Sequence, residues 1–267
     1  MNLIVPLMIN VVLAVGALLL KALSVSGALA ATVVGFVILH CIGWGGWAVL
    51  LLFFLSATIL GHVNKLLSDQ SEKRIQKKSG PRDWAQVFAN GGLAAVAALL
   101  YGISGLAVAL VMFGASLACA TADTFASEAG TLSKSPPISI RTGTIVPKGM
   151  SGGITLLGTI SSVVGALLIA LAWFAACASY HNAPFFFLAL IIGGCGIFGS
   201  FVDSYLGATV QAHYWDAENK QLTEHKKRNG KTLELCRGIS WIDNDTVNFI
   251  SNAAAVLLAS GLSALVL

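Results

Sequence analysis

Apolar residues fall in eight long runs, near residues 3–20, 26–42, 46–61, 84–102, 104–122, 151–176, 184–211 and 246–267. A membrane-spanning helix needs ~20 mostly apolar residues. The pattern therefore predicts an all-α, polytopic membrane helix bundle of about eight transmembrane helices. Several runs are rich in Gly and Ala, which lets helix backbones approach closely where lipid gives no hydrophobic drive. The joints at 42/46 and 102/104 are short and carry Gly with Trp or Ser, as tight hairpins do. One transmembrane domain over 1–267 is expected, with longer polar loops at about 62–83, 122–150 and 212–243. The first run has no positive residue ahead of it and reads as a retained span rather than a cleaved signal.

Composition removes the soluble alternatives. The chain is 56% hydrophobic and 10% charged, with mean hydropathy +0.81, against about 25% charged residues in soluble domains. So little chain lies outside the runs that any chemistry must be done by the bundle and its loops. The net charge of +4 matters less than its placement, and no nucleic acid is expected as a partner. Of the 16 Lys and Arg, six lie in 62–83, six in 212–243 and three in 122–150. The joints near 43–46, 102–105 and 177–184 hold none. With eight spans every basic loop falls on one side, which the positive-inside rule makes cytoplasmic, with both termini outside.

The loops carry their own expectations. Segment 68–82 alternates charges as an interfacial amphipathic helix does, stopped by Gly80-Pro81. Segment 216–237 reads as a solvated loop with Gly230 as a turn. Asp69, Glu72, Asp216, Glu218, Glu224 and Glu234 are expected to pair with neighbouring lysines in water. The five cysteines are scattered without a CxxC pair and read as packing residues.

Candidate chemistry sits where spans meet basic loops. The fifth run ends in TADTFASE, placing Asp123 and Glu128 at its mouth. In SFVDSYLGATVQ, Asp203, Gly207 and Gln211 recur every four residues. In WIDNDTVNFISN, Asn244, Asn248 and Asn252 do the same beside Asp243 and Asp245. The third run ends near His62, Asn64 and Lys65, and the fourth opens RDWAQVFANGG with Arg82, Asp83, Gln86 and Asn90. Polar stripes entering spans are expensive beside lipid and almost always face a bundle interior. Carboxylates and amides without thiolates suit a hard cation, Mg²⁺ with Mn²⁺ as substitute, and point to Asp123, Asp203 and Asp245 as metal ligands. Between the fifth and sixth runs lies RTGTIVPKGMSGGITLLGT. Its glycines allow close backbone approach, Ser151 and Thr155 offer hydroxyls, Arg141 and Lys148 supply charge, and the following helix start favours phosphate. A phosphate-headed lipid and a nucleotide are the substrate classes such a site takes.

TADTFASE, VPKGMSGGITLLGT, VDSYLGATVQ, NDTVN and RDWAQVFANGG together resemble the integral-membrane phytyl-phosphate kinase family, which includes the transmembrane-protein-19-like proteins. The resemblance runs in order over roughly residues 60–255. It implies CTP-dependent phosphorylation of an isoprenyl monophosphate to the diphosphate. By position, Asp123 and Glu128 fall in the family's acidic motif and Gly152 and Gly153 in its Gly-rich loop. Asp203 and Gly207 fall in its DSxLGA motif, and Asn244, Asp245 and Asn248 in its NDxVN motif. The chain departs from the pattern at Ser151, where the family usually has Asn, and at Lys148-Gly149 after Pro147.

The expected function is thus a CTP-dependent isoprenyl (phytyl) phosphate kinase with its site facing the cytoplasm. Asp123, Asp203, Asp245 and Glu128 are the expected catalytic acids. Lys65, Arg82, Asn90, Arg141, Lys148, Ser151, Gly152, Gly153, Asn244 and Asn248 are the expected substrate and phosphate ligands. Two rivals stand beside it. One is a cytidylyltransferase that forms a CDP-lipid. The other is a transporter or flippase of a phosphorylated lipid, suggested by weak similarity between FGASLACATADT and FGSFVDSY.

Overall fold

A computed structural model describes residues 3–67, 80–177 and 184–267. The amphipathic helix expected over 68–82 falls almost wholly outside them. Among the described residues there are eight α-helices: α1 (Ile4–Leu19), α2 (Val25–Cys41), α3 (Trp44–Leu67), α4 (Trp84–Ser104), α5 (Ala107–Thr131), α6 (Leu156–Cys177), α7 (Phe185–Thr209) and α8 (Asn244–Ala264). The membrane bundle expected from hydropathy is the architecture found, and α3 to α8 are long and apolar enough to cross a membrane. At 16 and 17 residues, α1 and α2 rise only about 24–26 Å against a hydrocarbon core of ~30 Å. Large apolar side chains stand exposed along the outside of the bundle, among them Leu29, Ile59, Leu171 and Leu257. That is the surface lipid requires.

α5 is the axis. It packs against α3, α4, α6, α7 and α8, whereas α1 packs chiefly on α2. Every residue from Ala109 to Ala122 except Met112 is buried. Its small side chains allow this density: a Cβ added at Gly196 of α7 would lie 2.7 Å from Ala118, and one at Gly199 would lie 2.4 Å from the Cys119 sulfur. From the other side, Gly165 of α6 packs on Phe125 and the Thr121 carbonyl.

Helix ends follow local chemistry rather than hydropathy, so two expected loops begin late. α3 continues to Leu67 and α5 to Thr131, carrying Asn64, Asp123 and Glu128 on helix rather than loop. Asp83 and Gln86 form a reciprocal capping box at the start of α4, and Asp243 caps α8 through the Thr246 amide at 3.2 Å. The α1–α2 joint is clipped to the approach of α4, with Arg82 N donating to Ala22 O and Ser24 N to Arg82 O.

The segment expected as a solvated loop is instead folded. A three-stranded antiparallel sheet orders β4-β3-β7, from β3 (His213–Asp216), β4 (Gln221–Thr223) and β7 (Glu234–Arg237). Between β4 and β7, β5 (Lys227–Arg228) and β6 (Lys231–Thr232) form a hairpin. Its turn is Asn229-Gly230, both at positive φ (49° and 78°), the preferred pair for the turn whose twist matches two strands. Two acids assigned to water are buried there: Asp216 holds Arg228 and Asn219, and Glu224 turns inward. The remaining pair, β1 (Ile138–Ser139) and β2 (Gly153–Ile154), closes the segment between α5 and α6.

His213 anchors the sheet to α7. The ring is fully buried, its Nδ1 lies 3.0 Å from the Gln211 carbonyl, and Arg237 Nη2 lies 3.5 Å from Nε2. The neutral ring fits this arrangement, donating from one nitrogen and accepting at the other. Burial pulls its pKa down to about 4, and the Arg237 charge adds to that. An unfolded histidine takes up its proton near pH 6.5, so between these values the unfolded segment holds more protons and stability falls as pH falls. Acidification from neutrality to pH 4 should cost the sheet on the order of 3 kcal/mol. The expected readout is faster amide exchange over 213–237 at pH 5 than at pH 7 after correction for intrinsic rates, with His213→Gln flattening the difference.

Candidate active site

The ends of five helices, α4 to α8, converge on one polar cavity of about 240 Å³. Its centre is where α5 meets α7. The small residues between the two helices bring the Asp123 and Asp203 carboxyls within hydrogen-bonding reach of each other. Ser251 Oγ of α8 donates to Asp203 Oδ2 at 3.0 Å. The Asn248 amide, in the orientation that satisfies both its atoms, donates to the same oxygen at 3.0 Å and to Asn244 O. Two facing carboxylates repel, and a shared cation or proton relieves that repulsion. Asp203 is 9% exposed, so little water is present to screen it.

A second wall comes from the start of α4 and the end of α5, backed by α3. Arg82 stands ahead of α4, its guanidinium 5.7 Å above the Phe54 ring, with Nη1 donating to Thr58 at 3.4 Å. Burial lowers its pKa from the ordinary value, and the neighbouring Glu128 charge opposes that shift. An arginine remains a cation through such a shift. Asn64 of α3 donates to Glu128 O at 2.6 Å and to Thr131 Oγ1 at 2.7 Å, tying the ends of α3 and α5 together. Asn252 bridges deeper in the bundle, donating to Asn90 O and Ser116 O at 3.3 Å each.

The glycine-rich loop makes the third wall. Gly152 has φ +81°, and a Cβ there would lie 2.4 Å from that of Ala208. From the α7 side, a Cβ on Gly207 would lie 3.1 Å from the Gly152 nitrogen. Loop and helix therefore meet through two glycines. Ser151 Oγ donates to Glu224 and accepts from Gln211 Nε2 at 3.0 Å, so the β-sheet segment holds the loop from behind. Lys148 Nζ lies 3.5 Å from Thr131 O. Thr155 Oγ1 accepts from the Gly158 amide at 3.0 Å, which caps α6 beneath the loop.

Of the residues proposed from sequence, Arg82, Asn90, Asp123, Glu128, Lys148, Ser151, Gly152, Gly153, Asp203, Asn244, Asp245 and Asn248 all line this cavity. Lys65 and Arg141 do not. Lys65 is exposed one position past the inward-facing Asn64, and a step of about 100° around a helix turns it away. Arg141 is exposed in the turn between β1 and Ile145. Glu224, which lines the cavity, and Ser251, which holds Asp203, were missed. Ser251 lies in the same α8 stripe as Asn248, three residues on, a spacing that does signal it. Glu224 had no local signal beyond the Asn229-Gly230 turn that implies a folded segment. Asp83, Asp243 and Thr155 have a plain structural duty as helix caps. No three carboxylate, imidazole or thiol groups among the described residues form a metal-holding cluster. Asp245 lines the cavity without joining the Asp123–Asp203 pair into a triad. A magnesium ion taking one or two carboxylates, with phosphate oxygens completing its shell, fits the pair.

The family model of integral membrane protein DUF92 matches residues 8–256. The chain belongs to this family. Protein PGR of Arabidopsis thaliana is 30% identical over 92% of this chain and 89% of its own length. An uncharacterized membrane protein of Methanocaldococcus jannaschii is 32% identical over 78% of this chain and 82% of its own. The chloroplastic protein VTE6 of Arabidopsis thaliana is 25% identical over 91% of this chain and 66% of its own. No solved structure matches the chain. The resemblance drawn from the motifs is thus upheld at the level of family, over nearly the full length of the bundle.

The loop–helix contact in this DUF92 chain can be tested with two glycines. Gly152→Ala combines left-handed strain with a collision against Ala208 and should cost more than about 2 kcal/mol. Gly143→Ala, at φ +69° with nothing within 4 Å, carries the strain alone and should cost about 1 kcal/mol. Thermal unfolding in detergent compares them, and amide exchange over 149–155 should rise only in Gly152→Ala.

Proposed function

We propose that this DUF92 family member is a CTP-dependent kinase that phosphorylates a membrane isoprenyl monophosphate, phytyl-phosphate-like, to the isoprenyl diphosphate. One observation carries the reading: the facing Asp123 and Asp203 carboxyls share a cavity with the glycine-rich loop, Lys148 and Arg82. The resemblance of five ordered motifs to phytyl-phosphate kinases supports the substrate classes. Phosphoryl transfer asks for positioning and charge neutralisation more than for covalent chemistry.

In this reading Asp123 and Asp203 would hold Mg²⁺, or Mn²⁺ in its place, with Asp245 adding negative charge to the same cavity. The ion when bound neutralises phosphate charge. Ser251 and Asn248 hold the Asp203 carboxylate in one orientation by donating to the same oxygen. Lys148 and the amides around Gly152 and Gly153 hold the triphosphate, while Arg82, oriented by Thr58 and the Phe54 ring, holds the other phosphate. The acceptor oxygen of the monophosphate is already ionised, so it attacks the terminal phosphorus without a general base. One O–P bond forms to the lipid phosphate, one breaks to the nucleotide, and CDP leaves.

Orientation belongs to the proposal. The cavity end of the bundle carries the basic segments, which supports a cytoplasmic-facing site with both termini on the opposite side.

Product analysis on protein in lipid nanodiscs with Mg²⁺, phytyl or geranylgeranyl phosphate and each nucleoside triphosphate tests the reaction. The expected products are isoprenyl diphosphate and CDP, formed with CTP. Pyrophosphate with a CDP-lipid would keep the site but make the protein a cytidylyltransferase, and no nucleotide turnover would favour the transporter reading. Asp123→Asn and Asp203→Asn should each lower turnover by at least about 10²-fold while the protein stays monodisperse. Near-normal turnover in both would remove the metal assignment. For orientation, Cys236 is an exposed native cysteine on β7. An impermeant maleimide added outside intact cells should leave it unlabelled, and permeabilisation should expose it.

A further inference from the structure

A second cavity, of about 110 Å³, lies among α1, α2, α3 and α4 and differs in kind from the first. Its sides are apolar, built from residues such as Ala14, Ala17, Val34, Phe54 and Val87. The polar residues on its wall sit at two ends. At one end Asn10 accepts from Trp47 Nε1 at 3.1 Å and donates to Pro6 O at 2.8 Å, so both its polar atoms are used within the protein. At the other end Arg82, Gln86, Asn90 and Thr124 line this cavity and the polar one alike. The two spaces therefore share a wall, and that wall carries the Arg82 cation.

The dimensions describe a slot. Arg82 is held at the level of Thr58 on α3, and Trp47 lies eleven residues earlier on the same helix, about 16 Å along its axis. A dry cavity of about 150 Å³ accommodates a single benzene ring. At about 110 Å³ this cavity is smaller than that, so it encloses about one five-carbon isoprene unit and leaves the rest of a chain to pass out through its open side into lipid. One end cation, apolar walls and an internally satisfied far end are complementary to an anionic head followed by an apolar chain.

We propose that this slot seats the head-proximal isoprene unit of the acceptor lipid, a single-chain prenyl monophosphate, with its phosphate against Arg82. The inference rests on the kinase reading for the identity of the head group, and it divides the polar cavity. The acceptor phosphate takes the wall at the start of α4, and the donor triphosphate takes the opposite wall formed by the glycine-rich loop and Lys148. It also gives α1 and α2, which contribute no acid to the polar cavity, a function as walls of the substrate channel.

Photolabelling without nucleotide tests the slot independently of turnover. The probe is a prenyl monophosphate with a diazirine on its first isoprene unit, added to the full chain in nanodiscs. Labelling is expected within 10–17 and 47–54, competed by unlabelled prenyl monophosphate and not by diacyl phosphatidic acid. Ala14→Phe, which fills the slot, should reduce labelling at least tenfold, and the milder Ala17→Leu should reduce it in the same direction. Val33→Phe, on the exposed face of α2, should leave it unchanged. Label on the outer surface of α5 to α8, or equal labelling by a diacyl probe, would overturn the proposal in favour of surface adsorption or an ordinary membrane lipid.

Kinetics test the division of the polar cavity. Arg82→Gln should raise KM for the lipid about tenfold or more with little change for CTP, and Lys148→Gln should do the reverse. If both variants raise only the KM for CTP, the placement of the acceptor at Arg82 is wrong. Slot labelling without any turnover would leave the lipid site standing and remove the kinase. Turnover that is unaffected in a folded Ala14→Phe variant would do the opposite.

Discussion

At Gly199 a single added methyl would collide with the Cys119 sulfur of α5, and at Gly196 it would collide with Ala118. This close approach of α7 to α5 sets the distance between Asp123 and Asp203, and the rest of the molecule is arranged around that distance. A bulkier residue at either glycine would part the helices and admit lipid or water between the carboxyls. Nothing in lipid drives helices together by hydrophobicity alone, so contact of this kind is what holds a membrane core. The central position of α5 follows, since only a helix lined with Ala, Gly, Ser and Cys can be approached so closely on most sides.

A bundle that places carboxyls, amides and an arginine inside a membrane must satisfy each of them internally. The satisfied groups here also tie elements together. Asn64 joins α3 to the end of α5, Asn252 joins α8 to α4 and α5, and Ser251 with Asn248 joins α8 to Asp203. Each bond supports the fold, and those from Ser251 and Asn248 also orient the Asp203 carboxyl that lines the cavity. Charge is handled differently: Arg82 lies over the Phe54 ring and donates to Thr58, a cation held by an aromatic face and a hydroxyl.

The β-sheet segment after α7 acts as a brace rather than a connector. Arg237 Nη2 donates to the Gly207 carbonyl at 3.2 Å, satisfying an acceptor in the last turn of α7 beside the glycine that receives the loop. Glu224 and Gln211 meet on Ser151 from the same side. Glycine-rich loops gain precision only when something outside the loop restrains them. In this chain that restraint comes from residues 60 and 73 positions away in sequence.

Much of this molecule was legible in its sequence because the bilayer makes each span answer separately to hydropathy. Run length and apolarity marked the helices, and the polar residues that interrupt those runs marked nearly the whole cavity, since such residues are costly anywhere else. Asp123, Asp203, Asn248 and the loop glycines belong to this group. The limits of the helices were not legible in the same way. α5 runs on to Thr131 past the last apolar stretch, because backbone hydrogen bonding does not end where hydropathy does. Tertiary structure alone decided which polar faces met. It turned Lys65 outward one position from Asn64, left Arg141 in an exposed turn, and brought Glu224 from an apparently solvated loop onto Ser151. Those outcomes depend on the rotation and depth at which helices pack. These are set by contacts between residues far apart in sequence, and no single segment encodes them.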